Sequence, residues 1–456
     1  MKNLTLENIA AVTGGSYSGP DELKSIEVTA ITTDSRKVER GGLFVAIKGE
    51  RVDGHKFIPQ VIDKGAAAAI SEVDLGDQDY PYIVVESSLQ AVKDIAEFYL
   101  KQLGIPVVGI TGSVGKTSTK EMTYSVLRQQ YRVHKTEGNF NNELGVPLTV
   151  FGLRDDDEMA VLEMGISHFG EMYRLAKIAR PDTMIVTNIG DAHVENLGSR
   201  DGVLKAKTEF APFLKPGAHV ILNGDDDKLA TVTELNGIAP MWYGLDSKND
   251  FWADNLVSLG LKGTRCDIHT PQGDLHGVTV GMPGRHMVYN ALAGAAAGQV
   301  YGLTLEQIKR GIETSETLAG RFNIIDTPHY TIIDDCYNAS PVSMKASLDV
   351  LQDGAGRKVA VLGDMAELGP DEKQLHAGVG TYAAGLNIDA IYTAGPLARC
   401  LAAAARSANP ALEVKAFDSL PELQAALPSL LKQGDTLLVK ASHCMHFEEI
   451  VEQLQR

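Results

Sequence analysis

The sequence has no CxxC pair, no apolar run long enough to cross a bilayer, and no excess of basic residues. Each absence removes a class of function. The four cysteines (Cys266, Cys336, Cys400 and Cys444) lie far apart, so neither a disulfide framework nor a zinc site is expected, and the thiols read as reduced. The N-terminal stretch Met1-Lys2-Asn3-Leu4-Thr5-Leu6-Glu7 lacks the apolar centre of a secretory signal. With no spanning run either, a soluble cytoplasmic protein without membrane insertion is expected. Forty-two Lys and Arg face 59 Asp and Glu, a net charge of −17. That balance argues against nucleic acid as the main partner, because a phosphate backbone needs a basic face. An acidic substrate would need a local basic pocket within an acidic body. The 456 residues exceed one ordinary core and predict two or three domains.

What the chain does have is a Gly-rich turn between an apolar run and a helix-like segment. Val107-Val108-Gly109-Ile110-Thr111 leads into Gly112-Ser113-Val114-Gly115-Lys116-Thr117-Ser118. Glycines let the backbone curl so that several N–H groups face one anion. The helix that follows adds the positive end of its dipole. Lys116 is then placed to reach the β- and γ-phosphates, and the Thr117 hydroxyl to sit on Mg²⁺. The usual phosphate-loop pattern has one more Gly where this chain has Ile110. The competing reading is a strand-to-helix turn that happens to hold Gly and Lys.

From residue 1 to about 100 the chain reads as one unit. Thr33-Asp34-Ser35-Arg36, the short strand in Gly41–Ile47 and the loop Lys48-Gly49-Glu50-Arg51-Val52-Asp53-Gly54-His55 suit either a phosphorylated small molecule or an ordinary surface. Ala66–Ala69 reads as a helix end or a buried strand. Beyond a boundary at Leu100–Gly104, apolar strands alternate with helices, with strands at 107–110, 160–162, 184–186 and 220–222. Such alternation predicts a mostly parallel sheet with helices on both faces, whose ligands bind at strand carboxyl ends. That rule selects the phosphate loop, Glu163-Met164-Gly165 as a Mg²⁺ carboxylate, and His193 in Thr187–His193, which is equally open to a structural role. Asn223–Asp227 reads as a turn. The amide-rich loop Thr136–Gly145, with Asn139 and Asn141, reads as a substrate contact or a plain polar loop. Nothing in Leu204–Phe210 singles out Lys207, which by pattern is a solvated helix lysine. Residues 250–280 alternate as a hairpin does, and Ala291–Ala297 belongs to a buried helix. After Leu318–Asn323 a third α/β segment begins, with strands at 331–333, 359–362, 390–392 and 436–439 and helices at 344–351, 397–405 and 447–454. Its loops Asp334-Asp335-Cys336-Tyr337-Asn338-Ala339-Ser340-Pro341 and Gly363-Asp364-Met365-Ala366-Glu367-Leu368-Gly369 follow strands, where they can face a nucleotide across a cleft.

At these motifs the sequence resembles the Mur ligase family, the ATP-dependent amide-forming enzymes of peptidoglycan synthesis. Thr111–Ser118 resembles that family's short phosphate loop, which explains the missing glycine. The surroundings of Glu163, His193, Asn290, Arg321 and Asp335 match in order. The 334–341, 363–369, 33–36 and 42–46 stretches resemble the branch that adds a dipeptide, and an Asp-Asn-Pro-Arg motif is absent. Two positions depart from the family pattern: Met287 stands where Asn is usual after Gly-Arg-His, and Lys440-Ala441-Ser442-His443 replaces Lys-Gly-Ser-Arg.

The resemblance implies an α/β fold of three domains: a small α/β N-terminal domain at 1–101 for the UDP-sugar, a central P-loop ATPase-type parallel sheet at 102–318, and a C-terminal Rossmann-like domain at 319–456. It implies ATP and Mg²⁺ as cofactors, and UDP-N-acetylmuramoyl-tripeptide and D-alanyl-D-alanine as substrates, in a monomer. Gly112, Ser113, Val114, Gly115, Lys116, Thr117 and Ser118 would cradle phosphates. Thr117, Glu163 and His193 would bind metal. Lys207 falls where relatives carry a carbamylated lysine, a carboxylate in place of an ammonium. Asn290, Arg321 and Asp335 would contact the nucleotide, and Ser35, Arg36, Phe44, Lys48, Asn139, Asn141 and Asn338 the substrates. Lys116, Lys207 and His193 are the implied catalytic set. The alternatives are a folylpolyglutamate- or cyanophycin-type ligase, or a nucleotide-driven switch with no amide product.

Overall fold

The computed structural model describes residues 1–49 and 52–455. Glu50 and Arg51, part of the loop read at Lys48–His55, lie outside the described residues. The strands form three sheets of five, nine and six, and the chain divides into two compact units.

The first unit comprises Met1–Thr111, Tyr131–Met184 and Thr208–Ala218. Its five-stranded sheet runs in the order Ser16–Ser18, Tyr82–Val84, Ala68–Ser71, Leu43–Val45, Ile31–Thr32. The first pair is antiparallel and the others parallel. Of the Ala66–Ala69 run, Ala68 and Ala69 open the strand Ala68–Ser71, which is buried throughout, while Ala66 and Ala67 precede it half-buried. Phe44, Ala46, Ile58, Val61, Ala69 and Tyr82 close one face into a core. The helix Ser88–Leu103 follows; Ser87 caps its first turn by accepting from the Gln90 N–H, and Gly104 ends it at φ +64°. The strand Val107–Thr111 then pairs in parallel with Met159–Glu163, which pairs with Val133–Lys135. The first two of these strands are buried along their whole length. That is why they read as unbroken apolar runs: a parallel strand covered on both faces has no polar side.

The second unit comprises Gly112–Gln130, Ile185–Lys207 and His219–Arg456. Strands His219–Asn223, Met241–Gly244 and Phe251–Ser258 run parallel, and Thr264–Thr270 and Gly273–Val280 extend them as an antiparallel hairpin. The helix His286–Val300 is buried almost all round. Its small residues let another helix close in: a Cβ on Gly294 would meet Met122 at 3.0 Å, and one on Gly298 would meet Val126 at 2.8 Å, both in the helix Lys116–Leu127. The six-stranded sheet has the order Asn323–Asp326, Tyr330–Asp334, Asp435–Lys440, Lys358–Gly363, Ala390–Ala394, Glu413–Phe417. The first pair is antiparallel and the rest parallel. Its core includes Val359, Val361, Tyr392, Leu437, Val439 and Phe447.

No helix among the described residues is long and apolar enough to cross a membrane. The four cysteines are free, and burial pushes the Cys266 thiol up to about 12.

Gly380, in the helix Glu372–Ala384, sets how closely the next helix packs, since a Cβ there would fall 2.1 Å from the Leu401 carbonyl oxygen. Backbone cannot move aside as a side chain can. Gly380→Ala should therefore lower the unfolding free energy by about 1–3 kcal/mol, against the ~1 kcal/mol of helix propensity that alanine would otherwise add; urea unfolding measures the change.

Candidate active site

The strand Val107–Thr111 ends in the loop Gly112–Gly115, and the helix Lys116–Leu127 starts at once. Gly112 (φ +147°) has no room for a side chain, because a Cβ would lie 1.9 Å from Thr187 Oγ1. Gly115 (φ +82°) caps the helix in the left-handed region. The segment after the strand Thr183–Val186 fixes the loop. The Ser113 N–H donates to the Asn188 carbonyl (3.0 Å) and the Val114 N–H to Asn188 Oδ1 (2.9 Å). Thr187 Oγ1 (2.6 Å) and Asn188 Nδ2 (2.9 Å) both donate to the Val114 carbonyl, and the Gly190 N–H donates to Ser113 Oγ (2.9 Å). Lys116 Nζ folds back to donate to the Gly112 carbonyl at 3.0 Å. The loop is thus shaped before any ligand arrives, and the helix's opening N–H groups have no acceptor within the helix.

Lys207 ends the helix Arg200–Lys207 and is 1% exposed, against the expectation of a solvated lysine. Among the described residues no acidic side chain pairs with its Nζ. Burial, and then the Lys116 charge, hold its amine well below the ordinary lysine range.

Asn290, one turn into its helix, accepts from Thr119 Oγ1 (3.0 Å) through Oδ1 and donates from Nδ2 to Met287 Sδ (3.2 Å). Thr117, Ser118 and Glu121 share a small pocket with Met282, Glu316, Thr317, Leu318 and Arg321. The Arg321 guanidinium lies over the Tyr337 ring, 3.9 Å from its centroid. His193, at φ +62°, places Nδ1 3.1 Å from Glu367 Oε2.

Asp335 is buried. Lys440 Nζ meets its Oδ2 at 2.5 Å and Ser347 Oγ donates to the same oxygen at 2.7 Å. Lys440 also donates to the Asn338 carbonyl at 3.0 Å. Asn338 itself is exposed, its Oδ1 accepting from the Ala339 N–H.

In the first unit Glu163 is 1% exposed at the carboxyl end of its strand. Its N–H donates to Thr136 Oγ1 (3.0 Å), and Asn141 Nδ2 donates to its Oε1 (2.8 Å). Asn139 is exposed. Next to this loop a cleft is lined by Leu89, Lys93, Asn142, Glu143, Leu144, Gly165 and Glu171. Arg36 is exposed and grips Asp34 with Nε (2.9 Å) and Nη2 (2.8 Å), which holds the Asp34 carboxyl down to about 2. The Ser35 carbonyl accepts from Lys64 (3.0 Å), and Lys48 is exposed. Phe44 is different: it is 1% exposed in the sheet core, so its ring has no surface to offer a ligand.

Three family models match in chain order. They are the Mur ligase family catalytic domain at residues 27–116, the Mur ligase middle domain at 110–298 and the Mur ligase glutamate ligase domain at 320–443. A UDP-N-acetylmuramoyl-tripeptide–D-alanyl-D-alanine ligase of Bacillus subtilis is 37% identical over 455 residues, covering 99% of this chain and 98% of that one. The chain belongs to the Mur ligase family. Among solved structures of the family, a crystal structure of MurF from Acinetobacter baumannii superposes with a TM-score of 0.90 at 34% identity, covering 99% of this chain and 98% of that one. A MurF ligase from Thermotoga maritima in complex with ADP gives a TM-score of 0.81 at 30% identity, covering 93% and 97%.

Sequence reasoning missed the contacts of four residues in this region. Thr119 sits inside the helix after the loop, where its hydroxyl carries no local signal. Lys440 finds Asp335 across 105 residues. Thr187 and Asn188 were legible as residues that follow a strand, but not as the clamp on the phosphate loop.

The Asp335–Lys440 pair has a measurable consequence. Lys440→Met strands a buried carboxylate and should lower the unfolding free energy by about 3–5 kcal/mol. Adding Asp335→Asn should recover part of that loss, as read by thermal or urea unfolding.

Proposed function

We propose that this Mur ligase is the ATP-dependent enzyme that joins D-alanyl-D-alanine to UDP-N-acetylmuramoyl-tripeptide in cytoplasmic peptidoglycan precursor synthesis, acting as a monomer. The observation that carries the reading is the clamped loop Gly112–Lys116, in a chain alike over its full length to ligases of that reaction. In this reading residues 1–101 hold the UDP-sugar through Ser35, Arg36 and Lys48. Residues 102–318 bind ATP, and 319–456 bring the dipeptide, with Asn338, and the nucleotide contacts Arg321 and Asp335.

The chemistry follows from the substrates. A carboxylate is a poor acyl donor, because its oxygen leaves badly and its charge repels an attacking amine. The tripeptide carboxylate attacks the γ-phosphorus of ATP, forming an acyl phosphate and releasing ADP. The D-alanyl-D-alanine amine then attacks the acyl carbon, and phosphate leaves with the C–O bond electrons. Lys116 and the first-turn N–H groups offset charge on the phosphates. Gly112, Ser113 and Val114 keep the loop in shape, and Asn290 faces the base. Asn139 and Asn141 contact the donor.

The donors suit Mg²⁺, a hard cation that takes oxygen ligands: the Thr117 hydroxyl and the buried Glu163 carboxylate, which Asn141 orients, with His193 in support. Bound there, Mg²⁺ would neutralise phosphate charge. Lys207 as an ammonium would oppose this. Burial and the Lys116 charge lower its pKa and so favour the neutral amine, the form that adds CO₂ to give a carbamate with release of a proton, which replaces a cation by an anion.

Phosphate release, followed with the tripeptide nucleotide, ATP, Mg²⁺ and D-alanyl-D-alanine and with each omitted in turn, tests the reading. It should need all four, and free lysine or diaminopimelate should not replace the dipeptide. Lys116→Ala should cut the rate by about 100- to 1,000-fold or more. Lys207→Ala should lose activity that short carboxylates partly restore. Acid protonates the Lys207 amine and reverses carbamate formation. Activity and the carbamate signal in ¹³C NMR should therefore fall together as pH drops through the depressed amine pKa, and both should return on neutralisation with bicarbonate.

A further inference from the structure

We propose that Met287 is a positioning residue: its thioether sulfur fixes which way the Asn290 carboxamide faces, and so sets the donor–acceptor order presented to the base of the nucleotide. This rests on the reading of Asn290 as a nucleotide contact.

A carboxamide has two nearly isosteric ends, and only its hydrogen-bond partners decide which end points where. One partner of Asn290 is the Thr119 hydroxyl, at 3.0 Å. A hydroxyl donates or accepts, so Thr119 fits either orientation. The other is Met287 Sδ, at 3.2 Å from Nδ2. A thioether has no hydrogen and can only accept. The NH₂ end must therefore face the sulfur, the oxygen must face Thr119, and Thr119 must donate. Burial raises the cost of the wrong orientation: Met287 is 2% exposed, Asn290 7% and Thr119 0%, so no solvent is at hand to satisfy a flipped amide.

With one N–H and one Oδ1 lone pair used in this way, one of each remains. An adjacent donor and acceptor match adenine, whose N6 amine and ring nitrogen offer the same pair in reverse. On the N7 edge guanine presents two acceptors, N7 and O6, and leaves the Asn290 oxygen without a donor. The fixed amide also stands against the phosphate loop, since a Cβ on Gly115 would lie 3.7 Å from Asn290 Oδ1. Met287 thus acts on the nucleotide through Asn290, without touching it.

The test is a double-mutant cycle on the full chain, reading the dissociation constants of fluorescent ATP and GTP analogues. Met287→Leu keeps the volume and removes the acceptor. It should weaken ATP binding by about 3- to 10-fold, the worth of one net hydrogen bond. It should also narrow the preference for ATP over GTP and, in turnover, raise KM for ATP more than it lowers kcat. In an Asn290→Ala background the same change should have no further effect. Thr119→Val, which removes the one donor available to Oδ1, should show the same coupling if Asn290→Ala folds poorly. The proposal falls if Met287→Leu binds both analogues as the parent does, or if the two substitutions act additively. If the parent chain itself fails to bind the ATP analogue, the functional reading falls, and this inference with it.

Discussion

A missing side chain and the hydroxyl in its place govern this structure. Gly112 leaves just enough room for Thr187 to reach the Val114 carbonyl. Asn188 takes the two amides beside it. A loop that must bind a multiply charged anion cannot be held by the anion alone, since it would then bear an ordering cost at each binding event. Here neighbouring backbone and two short polar side chains bear that cost during folding. The helix that starts at Lys116, the lysine folded onto the loop and the Asn290 amide against its glycine all inherit their positions from this clamp.

The same economy appears in the treatment of charge. Lys207 and Lys440 are both lysines excluded from water, at 1% and 2% exposure, but they solve the problem differently. Lys440 meets Asp335, with Ser347 and the Asn338 carbonyl completing the shell. Lys207 has no such partner among the described residues, and its amine yields its proton more readily. One lysine organises a pair of loops as a cation. The other lies buried without a counter-charge among the described residues.

Much of this was legible in the linear sequence, and the exceptions share a cause. The central strands at 107–111, 159–163, 183–186 and 219–223 announce themselves because burial leaves an unbroken apolar run at the middle of each. Strands Val133–Lys135, Met241–Gly244, Asn323–Asp326 and Glu413–Phe417 escaped notice: they are short, and most of their residues are only partly buried. The phosphate loop was readable because its chemistry is contiguous. The burial of Lys207 was not, because its helix carries polar neighbours and the pattern fits a surface face. Phe44 shows the opposite error. The family resemblance implied a ligand contact, but Phe44 occupies a fully covered strand position. The pairing of Asp335 was not legible because its partner Lys440 is too distant in the chain to be anticipated.

The seclusion of the Asp335–Lys440 pair also separates it from the surrounding electrolyte. Dissolved ions screen charges that face water over roughly 10 Å at 0.1 M but reach buried pairs far less. Added salt therefore leaves the architecture of these C-terminal loops intact and acts on the open charges, such as those of Arg36 and Lys48.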